Sequence, residues 1–162
     1  MSKKHYYNVV IVGGGISGTA LLYTLAKYTD IKDIALFEKY DDIATLNSNA
    51  KGNSQTLHCG DIETNYTLEK AKITNRTASM VENYGLLYGY ENKYMFKIPK
   101  MALGVGDEEV EFIKKRYEEF KDEFPYMQYW DKEKLAEIEP ALLKGRDKNE
   151  NIAAMGTQSR WS

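Results

Sequence analysis

Val9-Val10-Ile11-Val12-Gly13-Gly14-Gly15-Ile16-Ser17-Gly18 joins a run of four apolar residues to a glycine turn. A continuous apolar run of this length predicts a parallel strand buried on both faces. Gly13, Gly15 and Gly18 stand at G-x-G-x-x-G spacing, which permits a tight turn, close approach of backbone to a pyrophosphate, and contact between the following helix and the strand. A helix beginning near Ser17 turns unpaired N–H groups and the positive end of its dipole toward such a phosphate. A second apolar run, Ile34 to Phe37, ends on Glu38. A carboxylate there can accept hydrogen bonds from both hydroxyls of an adenosine ribose and repels a 2′-phosphate. Strand, turn, helix, strand and acid in this order predict a Rossmann-type α/β fold, with Asp30-Ile31-Lys32-Asp33 as an enlarged surface turn before the second strand.

Residues 40–65 follow; they are polar, carry Gly52 and Gly60, and lack helical periodicity, so they are expected to wrap a ligand. Asn53-Ser54-Gln55-Thr56-Leu57-His58-Cys59-Gly60-Asp61 concentrates hydrogen-bonding side chains close after the acid. A simple nicotinamide-binding domain would proceed directly into its next helix and strand. A long polar loop can instead track an extended flavin dinucleotide, which tilts the choice to FAD.

From Tyr66 to Asn83 the pattern is helical, through Leu68, Ala71, Ala78 and Val81, with Gly85 placed to end it. Tyr94 to Val105 reads as extended, with Pro99 suited to an edge strand or a turn. An amphipathic helix is expected over Asp107 to Phe124, its stripe formed by Val110, Ile113, Tyr117, Phe120 and Phe124. Asp131 can cap a short helix over Lys132 to Glu139 that Pro140 stops, and Asn151 to Met155 can begin a further strand. Arg160-Trp161-Ser162 reads as neither completing nor capping an element. The expected organisation is a partial FAD-binding domain over 1–65, then the start of an α+β substrate domain over 66–162.

Lys plus Arg against Asp plus Glu is 22 − 24 = −2, with both signs interspersed, which recommends neither a nucleic-acid partner nor a polybasic anchor. The single cysteine, Cys59, excludes an intramolecular disulfide and fits a reducing cytoplasm. No apolar run approaches the ~20 residues that cross a bilayer. The basic start Met1-Ser2-Lys3-Lys4-His5 leads straight into the first strand and lacks a cleavage pattern, so it reads as part of the fold and not as a signal peptide. Of the thirteen tyrosines, Tyr84, Tyr88, Tyr90 and Tyr94 cluster in one region, most simply as core-edge packing.

Val10 to Ala20, Glu38-Lys39, and Asn53 through Asp61 continuing as Ile62-Glu63-Thr64-Asn65-Tyr66-Thr67 together resemble the amino-terminal part of the malate:quinone oxidoreductases. More broadly they are similar to FAD-dependent oxidoreductases related to D-amino-acid oxidase and 2-hydroxyglutarate dehydrogenase. The resemblance runs to about Met155 and implies only the front of a complete enzyme, so a truncated product is expected. It further implies a peripheral flavoenzyme on the cytoplasmic face of the inner membrane, oxidising malate to oxaloacetate through FAD and reducing a membrane quinone. On the same basis Gly13, Gly14, Gly15, Ile16, Ser17 and Gly18 match the phosphate turn and helix start, and Glu38 the ribose acid, with Lys39 beside it. Asn53, Ser54, Gln55 and Thr56 match the loop near the pyrophosphate and ribityl groups. His58 would lie near the isoalloxazine ring.

His58 can serve as general base on a hydroxy acid or hydrogen-bond a flavin. Cys59 and the two histidines are too few to form a metal cluster. Arg76 and Arg116 read as surface cations, leaving no assigned clamp for a substrate carboxylate. Oxidation of 2-hydroxyglutarate or of an amino acid, and an inactive nucleotide-binding fragment, stand as alternatives.

Overall fold

The structure is a computed structural model; it describes residues 4–161, and the side chains of residues 4–157. Met1, Ser2 and Lys3 of the basic start, and Ser162, lie outside the described residues. The chain divides into two compact units, Met1–Gln55 and Thr56–Ser162. It is α/β, beginning with an incomplete Rossmann-like βαβ unit.

In the first unit, β1 (Val9–Val12) pairs in parallel with β2 (Ile34–Phe37), Val9 opposite Ile34 and Val12 opposite Phe37, and α1 (Ile16–Tyr28) connects them. The amides of Asn8 and Val9 donate to the Asp33 carbonyl at 2.8 and 3.3 Å, and that of Gly13 to Phe37 at 2.8 Å, extending the pairing past both strand ends. Burial departs from the apolar pattern. Ile11 is buried, whereas Val10 and Val12 are 52% and 86% exposed, and no residue of α1 is buried. A parallel strand is covered on both faces only when layers lie above and below it, and one helix on two strands supplies no more than one.

The second unit is built on a three-stranded antiparallel sheet ordered β3 (Lys97–Val105), β5 (Ile152–Trp161), β4 (Gln128–Trp130). Pro99 lies on the edge strand at a break in register between Ile98 and Lys100, where its missing N–H costs no ladder bond. Arg160 and Trp161 pair with Ile98 and Lys97, so these closing residues complete β5, contrary to the reading from sequence. Their order of residues carries no alternation to announce this; the partner strand supplies it. β4, three residues long, is too short to show a period at all.

α2 (Leu68–Leu87) is capped by Thr67, whose hydroxyl accepts the Lys70 amide at 3.2 Å. It runs through Gly85 rather than stopping there. A Cβ on Gly85 would lie 1.7 Å from Met95 Sδ, so that glycine makes room for a neighbour and not for a cap. α3 (Asp107–Phe120) buries Val110, Ile113, Arg116 and Phe120, and ends one turn earlier than its apolar stripe, with Phe124 buried just beyond. Ala71, Ile113, Phe120, Phe124, Met127 and Met155 form one core cluster; Trp130, Leu135, Ile152 and Ala154 form a second against α4 (Lys132–Ile138). Asp131 caps α4 by accepting the Lys134 amide at 2.9 Å. The four clustered tyrosines pack ring against ring in tilted and edge-to-face pairs, with Tyr84–Tyr88 and Tyr90–Tyr94 centroids 4.8 and 5.4 Å apart, and none is buried.

Residues 56–65, assigned from sequence to the first domain, fold with the second unit. Asp61 is the reason. Its buried carboxylate accepts the Tyr126 hydroxyl and the Ile62 amide, both at 3.0 Å, tying this segment to residues far along the chain. Among the described residues no helix is long and apolar enough to cross a membrane.

Candidate functional site

At the end of β1 the chain turns through Gly13, at φ 101°, into α1. A Cβ on Gly18 would lie 1.9 Å from the Gly13 carbonyl oxygen, so the first turn of the helix sits against the turn in a way only glycine allows. Thr19 donates its amide to the Gly15 carbonyl at 3.0 Å and closes the first helical bond. The amides of Gly15, Ser17 and Gly18 have no protein acceptor among the described residues. They face a need that an anion satisfies, at the positive end of the helix dipole. A cleft of about 400 Å³ lies here, lined by Gly13, Gly15, Ser17, Gly18, Glu38 and residues 44–48.

Glu38 reaches this turn from β2. Its Oε2 accepts the Gly14 amide at 2.5 Å, and its Oε1 accepts the amides of Lys39 and Tyr40 at 2.6 and 3.1 Å. Of roughly four acceptor sites on a carboxylate, three are therefore taken, leaving one on Oε2 where the sequence suggested two ribose contacts. The Gly14 amide foremost, then those of Tyr40 and Lys39, hold the Glu38 carboxyl below the usual glutamate range. A pKa depressed on folding gives a contribution that is complete above the unfolded value and fades as pH falls through the folded one. The Gly14 amide proton is accordingly expected to keep its shift down through the ordinary glutamate range and to move only below it. An NMR pH titration checks this, and E38Q abolishes the transition.

The segment expected to wrap a ligand begins by closing on the turn itself. Ala44 donates its amide to the Gly14 carbonyl at 3.0 Å, and Ser48 Oγ accepts the Ile16 amide at 2.9 Å. Ser48 thus occupies one of the helix-tip donors. Farther on, Asn53 donates to the carbonyls of Asn47 and Asn49 at 2.7 and 3.1 Å, while its Oδ1 accepts the Gln55 backbone amide at 2.9 Å and the Gln55 side-chain amide. These bonds fold the loop, with Gln55 at a left-handed φ of 55°. Asn53, Ser54 and Gln55 belong to the first unit but do not line its cleft; Thr56 and His58 belong to the second. Lys39 places its Nζ 5.5 Å from the Tyr40 ring centroid.

In the second unit His58 Nδ1 lies 2.9 Å from Glu63 Oε1, the histidine side chain 63% exposed and the glutamate 13%. Arg116 is buried, contrary to its surface reading. Its Nη2 donates to the carbonyls of Glu63, at 3.1 Å, and of Tyr66, and its guanidinium lies 4.0 Å from the Phe120 ring centroid. Burial pulls its pKa below the ordinary arginine value, and Glu119, 3.5 Å away, opposes the shift.

The family model for malate:quinone oxidoreductase (Mqo) matches residues 5–160. The chain belongs to the malate:quinone oxidoreductase family. It is 56% identical to a probable malate:quinone oxidoreductase of Campylobacter jejuni, covering 98% of this chain and 36% of that protein. It is 47% identical to the malate:quinone oxidoreductase of Helicobacter pylori strain 26695, over 96% of this chain and 35% of the other. The chain thus spans about a third of the length of these relatives. Among solved structures, dithionite-reduced L-alpha-glycerophosphate oxidase from Mycoplasma pneumoniae with FAD bound is similar at a TM-score of 0.61 and 23% identity, covering 95% of this chain and 38% of that one. At that identity the likeness speaks for the fold.

Three residues of this family member escaped the sequence reading. Ser48 sits in a non-periodic polar loop, where no spacing marks which hydroxyl returns to the helix tip. Glu63 follows His58 by five residues, but a loop conformation is needed to bring the two together. Arg116 had a signal: it lies three residues after Ile113 and four before Phe120, on the buried stripe.

Proposed function

We propose that this chain carries the adenosine-diphosphate end of an FAD site in an enzyme that oxidises malate to oxaloacetate and passes the electrons to a membrane quinone. What carries the reading is the glycine turn at the tip of α1, with three unpaired amides and the Glu38 carboxylate beside one cleft. The fit is sterically specific. At Gly18 any Cβ would run into the Gly13 carbonyl oxygen, so the close seating of α1 on the turn needs glycine, and the cleft lies within the range of nucleotide sites. The amides of Gly15, Ser17 and Gly18 hold the pyrophosphate, and the open acceptor site on Glu38 Oε2 takes a ribose hydroxyl. Within the first unit Asn53 shapes the loop of Ser54 and Gln55, the candidates for the ribityl chain; within the second, His58 is the candidate proton acceptor. FAD, when bound, supplies a two-electron acceptor for hydride. His58 then takes the hydroxyl proton of the substrate. On this reading the enzyme works peripherally at the cytoplasmic face of the membrane, where a membrane quinone is within reach. Family membership supports malate and quinone as the substrate pair.

Titration of the chain with FAD and ADP, followed by calorimetry and the visible flavin spectrum, tests the site. Binding of both, with NADP weaker because its 2′-phosphate meets Glu38, is the expected outcome; no binding of either ends the reading. Flavin bleaching by malate and not by 2-hydroxyglutarate is expected from the flavin-loaded enzyme, and the reverse order would reassign its substrate.

A further inference from the structure

We infer that Glu63 is a positioning residue that locks the tautomer of His58, leaving Nε2 of that ring as the nitrogen that accepts the substrate proton; this rests on the function proposed above. An ionised carboxylate only accepts hydrogen bonds, so the hydrogen shared at 2.9 Å between Glu63 Oε1 and His58 Nδ1 resides on Nδ1. In the neutral ring Nε2 then carries the free lone pair. Without a partner, imidazole in water prefers the opposite tautomer, with its hydrogen on Nε2 and no acceptor at that position. Glu63 therefore decides which nitrogen is basic.

The surroundings show that Glu63 is more than one end of a surface ion pair, where little would be gained. Its side chain is largely buried, and its second oxygen, Oε2, is buried with no donor among the described residues. The His58 ring is thus the hydrogen bond that this carboxylate makes. Its backbone is held as firmly. The Tyr66 amide donates to the Glu63 carbonyl at 3.2 Å, and buried Arg116 clamps the carbonyls of Glu63 and Tyr66 together from α3. Arg116 is itself seated on Phe120 in the core. A line of fixed contacts runs from the hydrophobic core through Arg116 and the 63–66 turn to the histidine, which is 63% exposed and accessible to a substrate. Nε2 of His58 would take the substrate hydroxyl proton and the ring would become imidazolium, the two-electron acceptor for the hydride being what a bound flavin supplies. The imidazolium then faces Glu63 across the same hydrogen bond, a charge pair made stronger in a partly dry setting.

Ring nitrogen-15 spectra of the protein at a pH where His58 is neutral read this directly, with His58 assigned by its loss in His58→Asn. The expected wild-type spectrum is dominated by the Nδ1–H form. Glu63→Ala should shift the population to mainly Nε2–H, and Glu63→Gln, which keeps the size of the side chain and can either donate or accept, should give a mixture. In the flavin-loaded enzyme Glu63→Gln should lower kcat about 10- to 100-fold with little change in KM, as loss of an orienting partner does. An unchanged ring spectrum in both variants overturns the tautomer lock, and a changed spectrum with unchanged kcat overturns the proton-accepting role. Neither outcome touches flavin binding, whose absence would instead sink the function proposed above.

Discussion

Gly18→Ala is expected to abolish nucleotide binding while leaving the second unit folded. The new Cβ would lie 1.9 Å from the Gly13 carbonyl oxygen and 3.1 Å from its carbonyl carbon. Both are backbone atoms between β1 and α1, so neither can swing aside as a side-chain end would. Overpacking in a well-filled site costs about 1–3 kcal/mol, and this contact belongs at the upper end because relief requires moving the helix tip. A shift of even about 1 Å there misaims the amides of Ser17 and Gly18 at a pyrophosphate, so the affinity for ADP should fall by about 100-fold or more. Calorimetric titration with ADP measures the loss, with Ala20→Ser on an exposed face of the same helix as the unaffected control. ADP affinity unchanged in Gly18→Ala would remove the glycine turn from the site.

The second large effect is expected in the other unit. Phe120 is fully buried, stacked on Phe124 at 5.7 Å between centroids, and covered on one face by the Arg116 guanidinium. Truncating such a residue costs about 3–5 kcal/mol through lost transfer energy and the cavity left behind. Against a domain stability of about 5–15 kcal/mol this is a large share, and the midpoint of thermal unfolding should fall by more than about 10 °C. Fluorescence of buried Trp130 follows the transition. Phe112→Ala, on the 49% exposed side of the same helix, should stay within about 0.5 kcal/mol of the parent. Equal losses at both positions would mean that the buried stripe of α3 has been assigned to the wrong face.

Phe120→Ala carries a further consequence, because the ring supports Arg116 and Arg116 holds the 63–66 turn. The His58–Glu63 bond should loosen even where the unit remains folded. Core packing and the candidate proton acceptor are in this way linked through a single buried cation, whose Nη2 meets two backbone carbonyls and whose Nη1 faces Glu119, while its Nε is buried with no acceptor among the described residues.

Much of this was legible in the chain because it rests on local rules. The stripe through Val110, Ile113 and Phe120 follows from helical periodicity, the Asp131 cap from the oxygen a helix start requires, and the glycine turn from the steric demand at Gly18. Pro99 at an edge follows from its missing donor. Other features did not show. Gly85 carries the usual stop signal of a helix yet lies inside one, since Met95, ten residues on, needs the space. The apolar run of β1 promised burial on both faces, but the run records what a strand can tolerate and not which layers are present to cover it.

By itself the order of residues determined the βαβ unit, the turn with its amides, the position of the acid after β2, and the amphipathic helices, all set by contacts within a few residues or by steric limits at one residue. Only the tertiary structure decided that Ser48 returns to the helix tip, that residues 56–65 join the second unit through Asp61, and that Arg116 is buried against Glu63. Those depend on loops brought together across tens of residues. Their energies come from burying and pairing polar groups at points that no period in the chain marks.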